Sequence, residues 1–395
     1  MIPQGWQEKT LEEVCIVERG SSPRPIKNFI TDDGSGVNWI KIGDCSGKYV
    51  TSTAQKITEE GAKKSRHVKE GDFVISNSMS YGKPYILKID GYIHDGWFVL
   101  RLNKNLVNAD YFYYLLSSNY VKEQYDALAT GAIVQNISSD LIKRVQFNLP
   151  SLSEQERIVA KLDKAFEAID KVKANAEQNL NNTKELFNNT LDSKIRTLYK
   201  NSSTQKLSEV CDVRDGTHDS PKYLDKRGHP FVTSKNLKND KIDMEKITYI
   251  SDSDFEKINE RSKVDIGDVL FAMIGTIGNP VVITEEPDFA IKNVALFKNI
   301  NKLEPQYLKF LLKSPSVLLK MQLEANGTTQ KFVALKYLRN FMVPVPSLSQ
   351  QQKIVEKLDA LQEQTKQLEA IYTKKIKDLD ELKQSILQKA FRGEL

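Results

Sequence analysis

Apolar residues recur at alternating steps of four and three in two stretches of the chain. The first runs through Ile158, Leu162, Ala165, Ile169, Val172 and Ala176 and on to Leu186. The second runs through Ile354, Leu358, Leu361, Thr365, Leu368, Tyr372, Leu379, Leu382 and Ile386. That spacing draws one apolar stripe along a helix and predicts a heptad seam in each stretch. No Pro or Gly interrupts either run before Gly393. Each opens on a Ser followed within two to three positions by Glu or Gln, close to a capping-box start. Each helix is expected to be about 45 residues long, or roughly 65–70 Å. Asn179, Thr183, Thr365 and Lys375 stand as polar seam positions, which would fix register at some cost in stability.

Elsewhere the pattern is different. Val37–Ile42, Asp72–Ser76, Tyr85–Ile89 and Gly96–Leu102 are short runs rich in β-branched and aromatic residues between turn signals, and they predict strands. Asp110–Asp126 predicts a helix with an aromatic and leucine face. PFVTS, DVLFAMI, PVVIT and AIKNVALF follow the same plan further on, before a helix expected over Glu304–Gln322.

The likeness of the two halves is a repeat. Ten of fourteen residues are identical between Pro150–Asp163 and Pro346–Asp359, at an offset of 196. The same offset relates Leu11, Glu13, Val14, Cys15, Val17, Gly20 and Pro25 to Leu207, Glu209, Val210, Cys211, Val213, Gly216 and Pro221. It also relates Gly71, Asp72, Gly82 and Pro84 to Gly267, Asp268, Gly278 and Pro280, and Tyr111, Leu115, Leu116 and Gly131 to Tyr307, Leu311, Leu312 and Gly327. Chance does not hold one offset through separated blocks. The expected organisation is a head over 1–150, a helix over 151–200, a second head over 201–346 and a helix over 347–395. The fold class is α+β, a tandem duplication whose two helices pair as an antiparallel coiled coil. The repeat implies a dumbbell with a pseudo-twofold axis, with Leu395 ending near Met1 as Tyr199 ends near Gln205. The interval between the matched blocks has diverged, which suits one scaffold presenting two unlike surfaces.

Composition narrows the function. With 40% hydrophobic and 28% charged residues, the chain reads as a globular protein without a spanning helix. The N-terminus lacks a signal-peptide pattern. Three cysteines without CxxC spacing fit a reducing, cytoplasmic setting. Cys15 and Cys211 sit at matched places in strand patterns and read as small buried residues. The net charge is +5, and acidic and basic residues stay nearly balanced in every segment. DNA binding would therefore rest on how a folded surface arranges its charge, not on a basic tail.

No catalytic constellation is evident. The four histidines are scattered, there is no HExxH, phosphate-binding loop or dinucleotide fingerprint, and Asn279-Pro280 is followed by two valines, unlike an adenine-methyltransferase motif. Three polar loops recur in each copy instead. The first holds Ser21, Ser22, Arg24 and Lys27, or Thr217, His218, Ser220 and Lys222. The second holds Ser76, Asn77, Ser78, Tyr81 and Lys83, or Thr276 and Asn279. The third runs from Gly131 to Gln135 and Asn136, or from Gly327 through Thr328, Thr329 and Gln330 to Lys331. Asn, Gln, Ser, Thr, Lys and Arg are the side-chain types that read base edges and phosphates. Taken singly each is also an ordinary turn residue; the recurrence of all three loops at one offset argues for the set.

The doubled P-S-L-S-x-Q-x-x-I-V-x-K-L-D block opening a long helix after a variable head resembles the specificity subunit of type I restriction–modification systems. Asp215-Gly216-Thr217 with Pro221, the strand starts at Gly71 and Gly267, and the G-T-T-Q at 327–330 extend the resemblance over essentially the whole chain. It implies a non-catalytic subunit with two target recognition domains, each reading half of a split, asymmetric DNA sequence. The helix pair would set the gap and dock two modification subunits that methylate adenine at N6, with restriction subunits joining as an ATP-dependent nuclease. S-adenosylmethionine, ATP and Mg would then be bound by those partners, with no cofactor on this chain. The first copy departs from the pattern: Gly131-Ala132-Ile133-Val134 stands where the second has G-T-T-Q, which shifts the equivalent contact to Gln135 and Asn136 or removes it. The competing reading is a non-enzymatic coiled-coil adaptor whose heads bind proteins.

Overall fold

A computed structural model describes residues 3–77, 82–129, 138–225, 227–298, 302–325 and 331–395, with backbone alone at 128 and 129. The chain divides into two compact units, Met1–Ala176 with Lys374–Leu395, and Glu177–Thr373. Both heptad stretches are helical, over Leu152–Asn201 and Leu348–Phe391, and the division between the units falls within each of them.

In the first unit the head is built on a five-stranded sheet in the order Cys15–Arg19, Trp97–Leu102, Phe73–Ser76, Pro84–Leu87, Tyr49–Val50. The strand Trp97–Leu102 is apolar on both faces because both are covered. Phe98 and Leu100 enter the core shared with the helices, while Trp97 and Val99 enter a second core with Ile40, Val68 and Ile93. That second core lies against another five-stranded sheet, ordered Ile30–Thr31, Gln55–Ile57, Val37–Ile40, Gly91–Ile93, Arg66–Val68. The head is closed by Gln7–Thr10 pairing antiparallel with Gln146–Leu149.

The second unit repeats the plan with fewer strands. A four-stranded sheet runs Asp212–Asp215, Val294–Lys298, Val269–Ala272, Gly278–Val282. A three-stranded sheet runs Thr248–Ile250, His229–Thr233, Ala290–Lys292, and Thr204–Lys206 pairs with Met342–Pro344 to close the head. Cys15 and Cys211 are buried, and burial pushes both thiols up to about 12.

Three expectations need correction. The helix expected over Asp110–Asp126 is two helices, Ala109–Leu116 and Asn119–Ala129, because the Ser117 and Ser118 hydroxyls turn back to the carbonyls of Tyr113 and Leu115. Its counterpart breaks into Pro305–Lys313 and Pro315–Leu323, since Pro315 has no N–H to continue the ladder. The seam is also redrawn. Val172 and Leu186 are exposed at 40% and 50%, while Phe166, Phe187, Leu191 and Ile195 are buried. Asn179 and Lys375 are exposed rather than in a seam, and the hydroxyls of Thr183 and Thr365 bond carbonyls of their own helices.

Within the first unit the two helices run antiparallel. Lys173 meets Asp380 at 2.6 Å and Lys383 meets Asp170 at 2.5 Å, so partners climb one helix as they descend the other. The C-terminal end of the chain returns to the first head: Leu387, Ala390 and Phe391 lie in its core, and Arg157 donates to the Leu395 carbonyl at 2.7 Å. Gly393 is packed so closely that an added Cβ would lie 2.5 Å from Pro3.

Candidate nucleic-acid interface

Strand register puts the polar loops of each head at one end of its main sheet. In the first head Arg19 pairs with Phe98, and Trp97 pairs with Ser76. The loop after Arg19, the turn His94–Gly96 and the loop after Ser76 therefore leave the sheet side by side. In the second head Asp215 pairs with Ala295, and Val294 pairs with Ala272, which juxtaposes the matching loops. The crossing is tight enough to need glycine. A Cβ on Gly20 would lie 2.0 Å from the His94 carbonyl oxygen, and one on Gly216 would lie 2.3 Å from that of Ile291.

The centre of the first site is Asp95. Its carboxylate accepts from Ser22 Oγ and from Arg24 Nη2, each at 2.9 Å. The Ser22 hydrogen bond, with the Arg24 charge beside it, holds this carboxyl below its usual range. Asn77 donates its side-chain amide to the Asp95 carbonyl at 2.8 Å and its N–H to the Gly96 carbonyl at 3.0 Å. Asn77 and Ser76 are buried, so they sit beneath the surface rather than on it. Arg24, Lys27 and Lys83 are exposed. Arg24 and Lys27 border a cleft of about 830 Å³ that also takes in Trp39, His94, Lys41 and Ile30. Burial pushes His94 below the ordinary histidine pKa, and its Nδ1 accepts from the Gly96 N–H, which puts the proton of the neutral ring on Nε2.

The second site is built with other chemistry on the same frame. Asp215 is 4% exposed and takes Arg261 on one oxygen and His218 Nε2 on the other, the latter at 3.0 Å. His218 Nδ1 lies 2.6 Å from Asn293 Oδ1, so the ring bridges the first loop to the turn before the strand Val294–Lys298. Lys292 reaches Ser220 and, at 3.5 Å, the Tyr223 hydroxyl. Thr217 accepts from the Asp219 N–H, and Lys222 is exposed. A smaller cleft of about 350 Å³ lies between Thr217, Ser220, Asp254, Lys257 and Arg261. Thr276 is exposed and Asn279 half-buried; the N–H of Gly275 donates to the carbonyl of exposed Lys331, so the second and third loops meet.

The structure thus brings Arg24, Lys27, Ser76 and Asn77 to one sheet end, and Thr217, His218, Ser220, Lys222, Thr276 and Lys331 to the other head's equivalent. Ser78, Tyr81, Gln135, Asn136, Thr328, Thr329 and Gln330 lie outside the described residues. Asp95, Trp39, Lys292, Asn293 and Arg261 were missed. The available signal was position: Asp95 and Asn293 stand just before the apolar strands WFVLRL and VALFK. The offset there is no longer 196, which hid the match. Among the described residues no group of side chains could hold a metal ion, and no helix is long and apolar enough to cross a membrane.

Comparison with known proteins is consistent along the whole chain. A family model described as "Type I restriction modification DNA specificity domain" matches twice, over residues 3–182 and 199–378. The type I restriction enzyme EcoKI specificity subunit of Escherichia coli K12 is 25% identical over 429 residues, covering 100% of this chain and 90% of that one. A chain from a structure described as the basis of complex assembly and conformational transition of the type I R-M system superposes with a TM-score of 0.78 at 23% identity, covering 100% of both chains. The HsdS subunit from Thermoanaerobacter tengcongensis matches with a TM-score of 0.55 at 22% identity, covering 100% of this chain and 98% of that one. At these identities the two structures speak for the fold.

Proposed function

The chain belongs to the type I restriction–modification DNA specificity family, a family of non-catalytic recognition subunits, and from that premise we propose that it reads a two-part DNA target, one part with each head. The observation that carries this reading is the pair of loop clusters. One sheet end, in one frame, bears Arg24, Lys27 and Asp95 in the first head and His218, Ser220 and Lys292 in the second. A shared frame with exchanged side chains is what two readers of unlike half-sites need. The domain limits are proposed as 1–150 and 201–346 for the readers, with 151–200 and 347–395 as the helices between and after them.

Modification subunits, two in this reading, dock on the helices and methylate adenine; restriction subunits complete the nuclease. The adaptor reading has no comparable observation in its favour. Sequence-specific retention of the chain with its modification subunit on random duplexes, by electrophoretic shift, is the direct test. Retention without any sequence preference would overturn the proposal.

The heads are expected to be separable. Arg24→Ala with Lys27→Ala should weaken or relax one half-site only, and loss of a good base contact costs about 1–3 kcal/mol of discrimination. Methylation mapping reads this directly; relaxation of both half-sites together would refute separate reading.

The finer proposal is that helix length sets the unread gap. Four residues added after Ala176 and after Tyr372, close to the division between the units, nearly complete one helical turn and add about 6 Å to each helix. At about 3.4 Å per base pair this lengthens the gap by one or two base pairs. The half-site sequences should be unchanged. An unchanged gap in methylation mapping would show that the helices do not set it.

A further inference from the structure

In each head a tight turn that follows a short 3₁₀ helix packs against a helix of the same head, and the two copies carry opposite charges there. In the first head the Lys41 N–H donates to Asp44 at 2.8 Å across Ile42–Asp44. In the second the Thr233 N–H donates to Asn236 at 3.0 Å across Ser234–Asn236. Counting forward from these equivalent caps, Gly47 (φ 69°) matches Asn239 (φ 50°), both left-handed. The next residues, Lys48 and Asp240, are therefore counterparts by position, and only Asp240 is itself left-handed (φ 63°).

Each meets a helix of the opposite sign. Lys48 Nζ lies 2.6 Å from Asp110 and sits over the Tyr113 and Tyr114 rings, 4.8 and 5.4 Å from their centroids. Tyr114 in turn donates to Asp163 of the central helix at 2.5 Å. Asp240 lies 2.7 Å from Lys313 and 3.4 Å from Lys309, and accepts from Gln362 of the C-terminal helix at 3.1 Å. By the repeat, Lys309 occupies the place of Tyr113, and Lys313 that of Ser117. Lys309 is 7% exposed, and burial pushes its pKa down against the opposing charge of Asp240. Turn and helix have changed together, twice over, so that a cation faces an acid in one copy and an acid faces two cations in the other.

We propose that this turn is a charge-keyed latch that positions the strands of each DNA-reading head on that head's own helix, with Lys48 and Asp110 as the first key and Asp240 with Lys309 and Lys313 as the second. Lys48 and Asp240 are positioning residues, remote in sequence from the reading loops. The pairing makes the two turns non-interchangeable. A lysine at the second turn would face the buried Lys309, and an aspartate at the first would face Asp110 with Asp163 close behind. A turn can be exchanged only together with its matching helix face. The positioning role rests on the DNA-reading proposal; the existence of the latch does not.

The test uses Lys48→Asp, Asp110→Lys and the pair together, in the full chain with its modification subunit. Two measurements are made: thermal unfolding without DNA, and discrimination at each half-site. Lys48→Asp is expected to lower discrimination at one half-site about 10-fold, with the other half-site unmoved, and the double variant to recover to within about 3-fold. In the second head Asp240→Asn keeps a residue that tolerates the left-handed turn and leaves Lys309 without its counter-charge. It should affect the opposite half-site, and adding Lys309→Met should restore it. Additive effects in both double variants, in unfolding and in discrimination, overturn the latch. Coupled unfolding with discrimination unmoved at either half-site shows pairs that only stabilise, and overturns the positioning role. A wild-type complex that distinguishes no sequence overturns the DNA-reading proposal, while the coupling in unfolding still decides whether the latch exists.

Discussion

Phe391→Ala is expected to destabilise the first unit by about 3–5 kcal/mol, the usual cost of emptying a buried aromatic site. Phe391 is 1% exposed, four residues before Leu395, and its ring stands edge-on to Tyr111 with centroids 5.4 Å apart. Leu387 and Ala390 join it in the core that holds Phe98, Phe147, Ile158 and Leu162. The last turns of the C-terminal helix are thus part of the first head's interior, despite lying more than two hundred residues away in sequence. For a unit of this size the loss corresponds to a melting shift on the order of 10 °C. Hydrogen exchange should show lost protection in the strands Trp97–Leu102 and Phe73–Ser76, with Val294–Lys298 of the second unit unaffected. A shift below about 2 °C would mean that the contact is not part of the core.

Gln155→Leu and Gln351→Leu should each cost about 3–5 kcal/mol, because each removes three hydrogen bonds from a dry site. Both glutamines are 0% exposed. Gln351 Oε1 accepts from the Glu304 N–H at 2.8 Å, and its amide donates to the carbonyls of Pro346 at 2.9 Å and Lys302 at 3.2 Å. Gln155 repeats the set with the Asn108 N–H at 2.8 Å and the carbonyls of Pro150 and Leu106 at 2.9 and 3.0 Å. Leucine fills the space and leaves one N–H and two carbonyls unpaired. The neighbouring Gln350 is exposed and only caps the helix through the Ser347 N–H, so Gln350→Ala should cost about 1 kcal/mol or less. Denaturant unfolding of the three variants checks the order; equal losses at Gln350 and Gln351 would refute it.

Those glutamines also show how much was legible beforehand. The doubled PSLSxQ block exposed the duplication and the helix starts, yet its spacing could not reveal that the glutamine stitches each head to its helix. A repeat records that a position was kept, while the partners in the head that it binds lie 47 and 49 residues away. The loop predictions fared similarly. Arg24 and Lys27 are exposed at the sheet end as polar loop residues should be, but Ser76 and Asn77 are buried, and Asn77 braces the turn from beneath. Asp95, which organises the first site, was invisible because the turn that holds it differs in length between the copies.

By itself the sequence determined the duplication, the α+β heads, the two long helices and the family, because these depend on periodicity and on residues at fixed spacing along one chain. Tertiary structure decided which side chains meet. The heptad pattern marked an apolar stripe but not its cover, so Val172 and Leu186 emerged exposed while Phe187, Leu191 and Ile195 went into the core of the second unit. Strand register, set by cross-strand pairing, brought the His94–Gly96 turn beside the loop after Arg19. The opposed charges of Lys48 and Asp240 acquired meaning only when a turn in the diverged interval was seen against its own helix. Contact energies act through space between residues far apart in sequence, and a linear pattern carries their chemistry without their neighbours.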